Sequence, residues 1–343
     1  MVKQYAILRV AGFLCALFSV MGYAENAALP NEQSSLTLYV ENDLLSRTDK
    51  YYTSGVQLTY LTKDLEAMKL PPWLQEVGGL IPMFRHEGYT NNIGLSVGQQ
   101  IFTPENTQAT SLIRNDRPYA GWLFGGLSLH HKNTVNLHVL ELRAGIVGPD
   151  AMGEAAQNGV HELRNLATAK GWKNQLHNEP GAVLTYEYRR RADATLPHSL
   201  FGADIIPAVR VSGGNVLTEG AVGINLRAGF NLPRDFHGNR MRTTGFAMSP
   251  EDGYERLRSP WSAYVFGGAE SRYVAHNIFL DGNTWRTSHS VKREPFVGEV
   301  QGGFGLMYKR VRLTFTHVIR TREFQGQRGD HHSFGAVSLG FWF

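Results

Sequence analysis

Cysteine is almost absent from this chain of 343 residues: the single one, Cys15, lies in an apolar run near the N-terminus. Lys3 and Arg9 precede that run, which reads "AGFLCALFSVMG", and the small residues of "GYA" end it before Glu25. A basic start, a short apolar core and a small-residue end are the pattern of a secretory signal peptide. We therefore expect a signal peptide over residues 1–24 and one mature domain over residues 25–343.

The mature chain is then expected to contain no cysteine and no disulfide. The residues before Cys15 do not suit a lipoprotein signal, so we also expect no lipid anchor. An exported chain without disulfides fits the periplasm or the outer membrane of a Gram-negative cell.

An excess of one charge sign and a long apolar run are also lacking. The chain has 34 Lys and Arg against 30 Asp and Glu, and removal of the two basic residues of the signal peptide leaves a net charge of +2. That balance argues against nucleic acid as the main partner. The mean hydropathy of −0.26 and the shortness of the N-terminal run exclude a helical membrane protein.

Glycine and aromatic residues are plentiful instead, with 37 Gly, 18 Phe, 14 Tyr and 6 Trp. The last segment, "HHSFGAVSLGFWF", places Val337, Leu339, Phe341 and Phe343 on one face of a strand and small or polar residues on the other. An exposed apolar edge at the end of a soluble sheet would promote aggregation. The composition and this final strand predict an antiparallel transmembrane β-barrel.

Alternation of this kind recurs along the whole mature chain and predicts about twelve strands, an even number as in bacterial barrels. The predicted strands cover residues 34–42, 53–62, 90–101, 119–130, 134–147, 181–191, 203–213, 220–230, 261–273, 295–307, 310–320 and 331–343. With both termini in the periplasm, residues 131–133 and 308–310 become tight periplasmic turns. Residues 63–89 and 231–260 would be unusually long periplasmic connections, which the pattern does not explain.

One external loop carries a helical pattern. In residues 149–172, Met152, Ala156, Val160, Leu163 and Ala167 recur at helical spacing. Pro149 and Asp150 favour a start and Gly171 a stop. We predict a short amphipathic helix at the outer rim, with its apolar face on the barrel lip or at the lipid surface.

Three polar clusters fall on the same rim. The first follows strand one, where alternation directs Asp43 into the lumen because the opposite face must meet lipid. The second is "RNDRPYAGW", residues 114–122, and the third is the helix around His161. Each has an ordinary interpretation: Asn42 and Asp43 as turn residues, Asp116 and Arg117 as a structural ion pair, and the histidine as a solvated side chain.

The set "ENDLLSRTDKYYTSG", "RNDRPYAGW", "GPDAMGEAAQNGVHELRNL" and "KGWKNQLHNEP", with the Phe-terminated last strand, resembles the outer-membrane lipid A 3-O-deacylases over nearly all of the mature chain. The resemblance implies a twelve-stranded barrel and a calcium-dependent esterase that removes the 3′-linked acyloxyacyl group of lipid A. It implies a site at the outer face between the wall and a loop helix. Asn42 and Asp43 match the family's strand-one pair, and His161 matches its helix histidine. Glu162 and Glu179 are the two candidates for the family's metal-site glutamate.

Ester hydrolysis agrees with the residues themselves. No "GxSxG" elbow occurs, so a covalent nucleophile is not indicated, although a serine stays possible. His161 would deprotonate a water, and a calcium ion on Asn42, Asp43 and a glutamate would stabilise the oxyanion. Thr53, Arg114, Asp116 and Arg117 are the predicted substrate contacts, and the guanidinium groups suit the lipid A phosphates.

We expect the protein to be a monomer in the outer membrane. Two alternative functions are an outer-membrane phospholipase and a non-catalytic barrel such as a porin or an adhesin.

Overall fold

The structure is a computed structural model that describes residues 33–43, 51–65, 72–73, 76, 88–194, 199–236 and 259–343. Within these residues the sheet has twelve long strands, and two short helices lie at one end of it. The strands are β1 (Ser35–Asn42), β2 (Tyr51–Leu61), β3 (Thr90–Thr103), β4 (Ala120–Lys132), β5 (Asn136–Val147), β6 (Glu179–Arg190), β7 (Phe201–Gly214), β8 (Leu217–Phe230), β9 (Trp261–Asn277), β10 (Phe296–Tyr308), β11 (Val311–Thr321) and β12 (His331–Trp342). The helices are α1 (Gly153–Leu163) and α2 (Ile278–Asp281). Ala192–Asp193 form a two-residue strand beside β7.

Each strand pairs antiparallel with the next, β6 pairs with β7, and β12 pairs with β1, so the sheet closes on itself. Ser34 and Phe343 exchange main-chain hydrogen bonds of 2.9 and 3.0 Å where the barrel closes. The prediction of a twelve-stranded barrel is confirmed, and the predicted strand limits differ from the observed ones by only a few residues. We call the end with Ser34 and Phe343 the terminus end and the opposite end, which carries α1, the helix end.

The burial pattern of the strands follows their alternation. In β1, Ser35, Thr37, Tyr39 and Glu41 are buried while Leu36 and Leu38 are exposed. The buried face is therefore the polar one and the exposed face the apolar one, as in a barrel whose outside meets lipid. Among the described residues, no helix is long and apolar enough to cross a membrane.

Ion pairs fill the lumen between the two ends. Arg210 lies 2.9 Å from Glu219, 3.0 Å from Glu270 and 3.8 Å from Glu187. Buried charges of this kind are tolerated because each has an opposite partner.

The helix end of the lumen is closed by α2. Its side chains Ile278, Phe279 and Leu280 are buried, and the Phe279 ring stacks on Phe102 with 4.1 Å between centroids. Asn277 caps the helix by accepting a 3.0 Å hydrogen bond from the main-chain N–H of Phe279. An apolar plug therefore fills the mouth of the barrel.

The terminus end is closed by the residues that follow β8. Phe236 is buried against Leu137 and Val139, and Asp235 pairs with both Arg227 and Arg312. The long connection predicted over residues 231–260 thus begins by folding into the lumen, while residues 237–258 lie outside the described part of the chain. The other long connection, 63–89, is described at its start, where Leu65 pairs with Asn91 of β3.

Candidate functional site

The wall of the site is the outward face of β2 and β3 near the helix end. Leu95 and Val97 on that face of β3 are exposed, but Ile101 and Thr103 farther along it are buried. The Thr103 hydroxyl lies 2.7 Å from the hydroxyl of Thr53, which occupies a β-bulge in β2. An outward face becomes buried only when something covers it, and here the cover is the loop that contains α1.

α1 lies against the outside of the wall at β3 and β4. The Gln99 side chain donates a 2.6 Å hydrogen bond to the Ala151 carbonyl just before the helix. Gly121 of β4 faces Gly153, the first helical residue, so closely that a Cβ on Gly121 would lie 3.2 Å from the Gly153 nitrogen. A Cβ on Gly153 would lie 2.7 Å from the Trp172 ring. Two glycines therefore permit the close approach of helix and wall.

The face of α1 that turns toward the barrel is polar. Its buried residues are Gly153, Gln157 and His161, spaced four apart. Gln157 accepts a 2.9 Å hydrogen bond from the Trp172 indole N–H, and Trp172 packs with Ile101 and Tyr119. The histidine, only 3 % exposed, thus lies on the side of α1 that covers the wall.

The His161 ring is oriented by the chain that follows the helix. Its Nδ1 lies 2.7 Å from the main-chain oxygen of Ala167. A carbonyl oxygen can only accept, so Nδ1 carries the proton and the lone pair of the neutral imidazole is on Nε2. This tautomer is the one a general base needs if Nε2 is to take a proton from water.

The helix ends earlier than residue 171, the stop that the sequence pattern predicts. Asn165 adopts a left-handed conformation with φ 54°. Its N–H bonds to the Glu162 carbonyl at 3.1 Å, and the Leu166 N–H bonds to the His161 carbonyl at 2.8 Å. This is a Schellman motif, which reverses the chain and brings Ala167 back to the histidine ring.

Asn42 and Asp43 are at the end of β1, beside the wall. Asn42 is half-buried on the outward face and pairs with Ser54 of β2. Asp43, the first residue after the strand, is fully buried.

The two glutamates predicted as metal ligands have different surroundings. Both oxygens of Glu179 accept hydrogen bonds, from the side chains of Asn215 and Asn283 and from the N–H of Thr284, at 2.9–3.2 Å. β6 is five strands from β1, or roughly 24 Å along the wall at 4.8 Å per strand. Glu162 is exposed on α1. Glu179 therefore joins the start of β6, after the loop from β5, to the loops after β7 and β9, and Glu162 faces solvent.

The residues present supply only part of a calcium site. Among the described residues, no group of three or more His, Asp, Glu or Cys side chains is placed to hold a metal ion. Calcium takes six to eight oxygens, and some of these are regularly carbonyl and hydroxyl oxygens. Here Asp43 offers a carboxylate, Asn42 an amide oxygen and Thr53 a hydroxyl as candidate donors. The donor chemistry agrees with calcium, but the number of donors does not complete its shell.

The "RNDRPYAGW" segment is mainly an anchor for the loop after β3. The Asp116 carboxylate accepts hydrogen bonds of 2.9 Å from the N–H of Glu105 and 2.7 Å from that of Arg117. Burial raises the pKa of Asp116, against the effect of those hydrogen bonds. The Asp116 carbonyl accepts a 2.7 Å hydrogen bond from His289.

Arg117 points into the lumen rather than toward a substrate outside. It is fully buried, with Nη1 3.4 Å from Glu323 and the guanidinium 4.7 Å above the Phe102 ring. Arg114, three residues earlier, is exposed. Of the two arginines predicted to bind phosphate, Arg114 is the one that the structure leaves at the surface.

Sequence reasoning missed Thr103, Tyr119 and Trp172, which form the wall and support of the site. Tyr119 and Trp172 lie within two of the motifs quoted above, "RNDRPYAGW" and "KGWKNQLHNEP", and could have been found there. Thr103 is the last residue of an alternating strand. Nothing in the sequence except its place at the strand end distinguishes it from other threonines.

Comparison with known proteins places the chain among outer-membrane barrels. A family model described as "Outer membrane protein LpxR" matches residues 11–343. The solved structure of LpxR from Salmonella typhimurium is similar, with a TM-score of 0.70, 21% identity, and coverage of 90% of this chain and 100% of that one. The β domain of the Bordetella autotransporter BrkA matches with a TM-score of 0.43, 12% identity, and coverage of 92% and 99%. No curated protein matches the sequence.

Proposed function

Because the chain belongs to the LpxR family of outer membrane proteins, we propose that it is a lipid A 3-O-deacylase that acts in the outer leaflet. The observation that carries this proposal is His161, buried between α1 and the wall with its Nδ1 proton held by Ala167. The helix end then faces outside the cell, since the substrate lies in the outer leaflet.

In the proposed reaction, His161 Nε2 takes a proton from a water while the water oxygen forms a bond to the carbonyl carbon of the 3′-linked ester. The ester C–O bond then breaks, and the imidazolium returns the proton to the departing 3′-oxygen. The products are the acyloxyacyl fatty acid and a 3′-hydroxyl. General base catalysis of this kind contributes about 10²–10⁴-fold in rate, and the Ala167 carbonyl stabilises the imidazolium through the retained Nδ1–H.

Calcium dependence is the second part of the proposal. Asp43, with Asn42 and main-chain oxygens at the end of β1, would hold the ion. A bound calcium ion supplies a positive charge that polarises an ester carbonyl. A readout independent of activity is the melting temperature of the barrel with and without calcium, which we expect to rise in the natural protein and to stay unchanged in Asp43→Asn.

Substrate binding is proposed to use the exposed Arg114 for a lipid A phosphate, since a guanidinium binds phosphate oxygens bidentately. Thr53, whose hydroxyl lies 2.7 Å from that of Thr103 on the wall, would donate a hydrogen bond to the substrate. Asp116 and Arg117 act on the substrate indirectly by holding the loop that carries Arg114.

The experiment that tests the proposal is mass spectrometry of lipid A from cells that produce this chain, with calcium or with a chelator. We expect lipid A to lose the mass of one acyloxyacyl group with the natural protein, and to stay intact with His161→Ala. His331→Ala, which removes an exposed histidine of β12, is the matched control and should behave as the natural protein. Intact lipid A in every sample, with the barrel present in the outer membrane, would refute the reaction.

A further inference from the structure

α1 has its apolar residues on one flank and its acidic residues on the other, with the barrel wall between them. At 100° per residue, the buried residue Gln157 points at the wall. Val160 and Leu163 then lie roughly 60–120° to one side, and Glu154 and Glu162 roughly 60–140° to the other. Leu163 is 86 % exposed, the largest exposure among the large hydrophobic side chains of the described residues.

The sequence pattern left two positions open for the apolar face of the helix, the barrel lip and the lipid surface, and this arrangement excludes the barrel lip. The polar residues Gln157 and His161 take that place. The apolar flank is therefore exposed, and the protein itself does not cover it in the described part of the chain. A helix that lies in the membrane–water boundary shows this division between an apolar and a charged flank.

The barrel surface beside the helix indicates what covers the apolar flank. Leu95 and Val97 are exposed on the outward face of β3, where a membrane barrel meets hydrocarbon. Gln99, the next outward residue, already contacts the start of the helix segment through Ala151. Two residues of strand span roughly 7 Å, so the start of the helix segment lies next to the lipid-facing surface of the wall.

We propose that α1 lies in the boundary of the outer leaflet, with Met152, Val160 and Leu163 in contact with the hydrocarbon chains of membrane lipids and Glu154 and Glu162 in water. The helix then holds its buried histidine face at the depth where acyl esters meet the headgroup region. The lipid contact itself does not depend on the reaction proposed above, and only its consequence for catalysis rests on that reaction.

The test uses the absence of cysteine from the expected mature chain. Single variants Leu163→Cys, Glu162→Cys and Val97→Cys carry an environment-sensitive fluorophore, and the folded barrel is placed in vesicles whose phospholipids have brominated or ordinary acyl chains. We expect bromine to quench the probe at 163 and at the lipid-facing position 97, and to leave the probe at 162 unquenched. The neighbouring glutamate is the matched control, because it lies on the same turn of the helix and on the opposite flank.

Quenching at 97 without quenching at 163 would overturn the proposal, and equal quenching at 162 and 163 would overturn the assignment of the two flanks. Deacylation is measured on the unlabelled natural protein in parallel. Quenching at 163 together with intact lipid A would refute the reaction and retain the membrane contact, so the two failures are distinguishable.

Discussion

The imidazole Nδ1 of His161 and the main-chain oxygen of Ala167 are 2.7 Å apart, although the two residues are six positions apart in the sequence. The hydrogen bond exists because Asn165 reverses the chain in a left-handed conformation. The orientation of the proposed base therefore depends on a residue that lies outside the site and has no chemical role in it.

The first prediction concerns Asn165. Asn165→Gly should keep activity, because glycine adopts positive φ without strain. Asn165→Val should lower activity and the stability of this loop, because a left-handed conformation costs an ordinary residue about 1–2 kcal/mol. The pH profile of kcat separates positioning from simple unfolding: a displaced Ala167 carbonyl shifts the profile of the valine variant. An unchanged profile with normal activity in Asn165→Val would contradict this role.

The second prediction concerns the acid stability of the loop after β11. The Glu323 carboxylate lies 3.3 Å from Arg320 and 3.4 Å from Arg117. Burial opposes ionisation, but these two guanidinium groups lower the pKa of Glu323 from an ordinary value of 4.5 to about 2. A lowered pKa means that the stabilisation is fully present above pH 4.5 and is lost as the pH falls toward 2.

Glu323→Gln should therefore melt at a lower temperature than the natural protein at pH 7, and the difference should shrink between pH 4.5 and pH 2. Heat-dependent mobility of the barrel in detergent gels measures this. Glu154→Gln, which removes an exposed carboxylate on α1, should show no such dependence. A difference of the same size at every pH would exclude the ion pairs as its cause.

Alternation was sufficient to predict the barrel because a strand with one face in lipid and one in a charged lumen has a strict period of two. Contacts between segments that are distant in the sequence could not be predicted from this alternation. Glu179 is a suitable metal ligand and Arg117 a suitable phosphate contact by residue type. In the folded protein, however, Glu179 bonds to Thr284 and Arg117 pairs with Glu323, so both hold loops in place. Likewise, the helical spacing around Met152 identified α1 but not which flank the wall would cover, since the pairing of Gln157 with Trp172 decides that.

The third prediction concerns the plug at the terminus end. Asp235 pairs with both Arg227 and Arg312, which are buried. Removing one partner of a buried ion pair leaves an uncompensated charge and destabilises by about 3–5 kcal/mol. Asp235→Ala should therefore lower the melting temperature strongly. Asp330→Ala, which breaks an ion pair with Arg322 at the surface, should change it little, because exposed pairs contribute only about 0–1 kcal/mol. Equal effects of the two substitutions would show that the buried pairs of Asp235 with Arg227 and Arg312 do not stabilise the barrel more than a surface pair does.

The fourth prediction distinguishes the enzyme from a porin. The lumen is closed at the helix end by Phe279 on Phe102 and at the terminus end by Phe236. The natural protein should therefore show no steady conductance in a planar bilayer. The double variant Phe279→Ala with Phe236→Ala removes the apolar filling at both ends and should conduct at least intermittently. Leu163→Ala, which truncates an equally apolar side chain on the outside of the barrel, should not conduct. Steady conductance of the natural protein would show that the apolar residues at the two ends do not seal the lumen. It would favour the alternative that the protein is a porin.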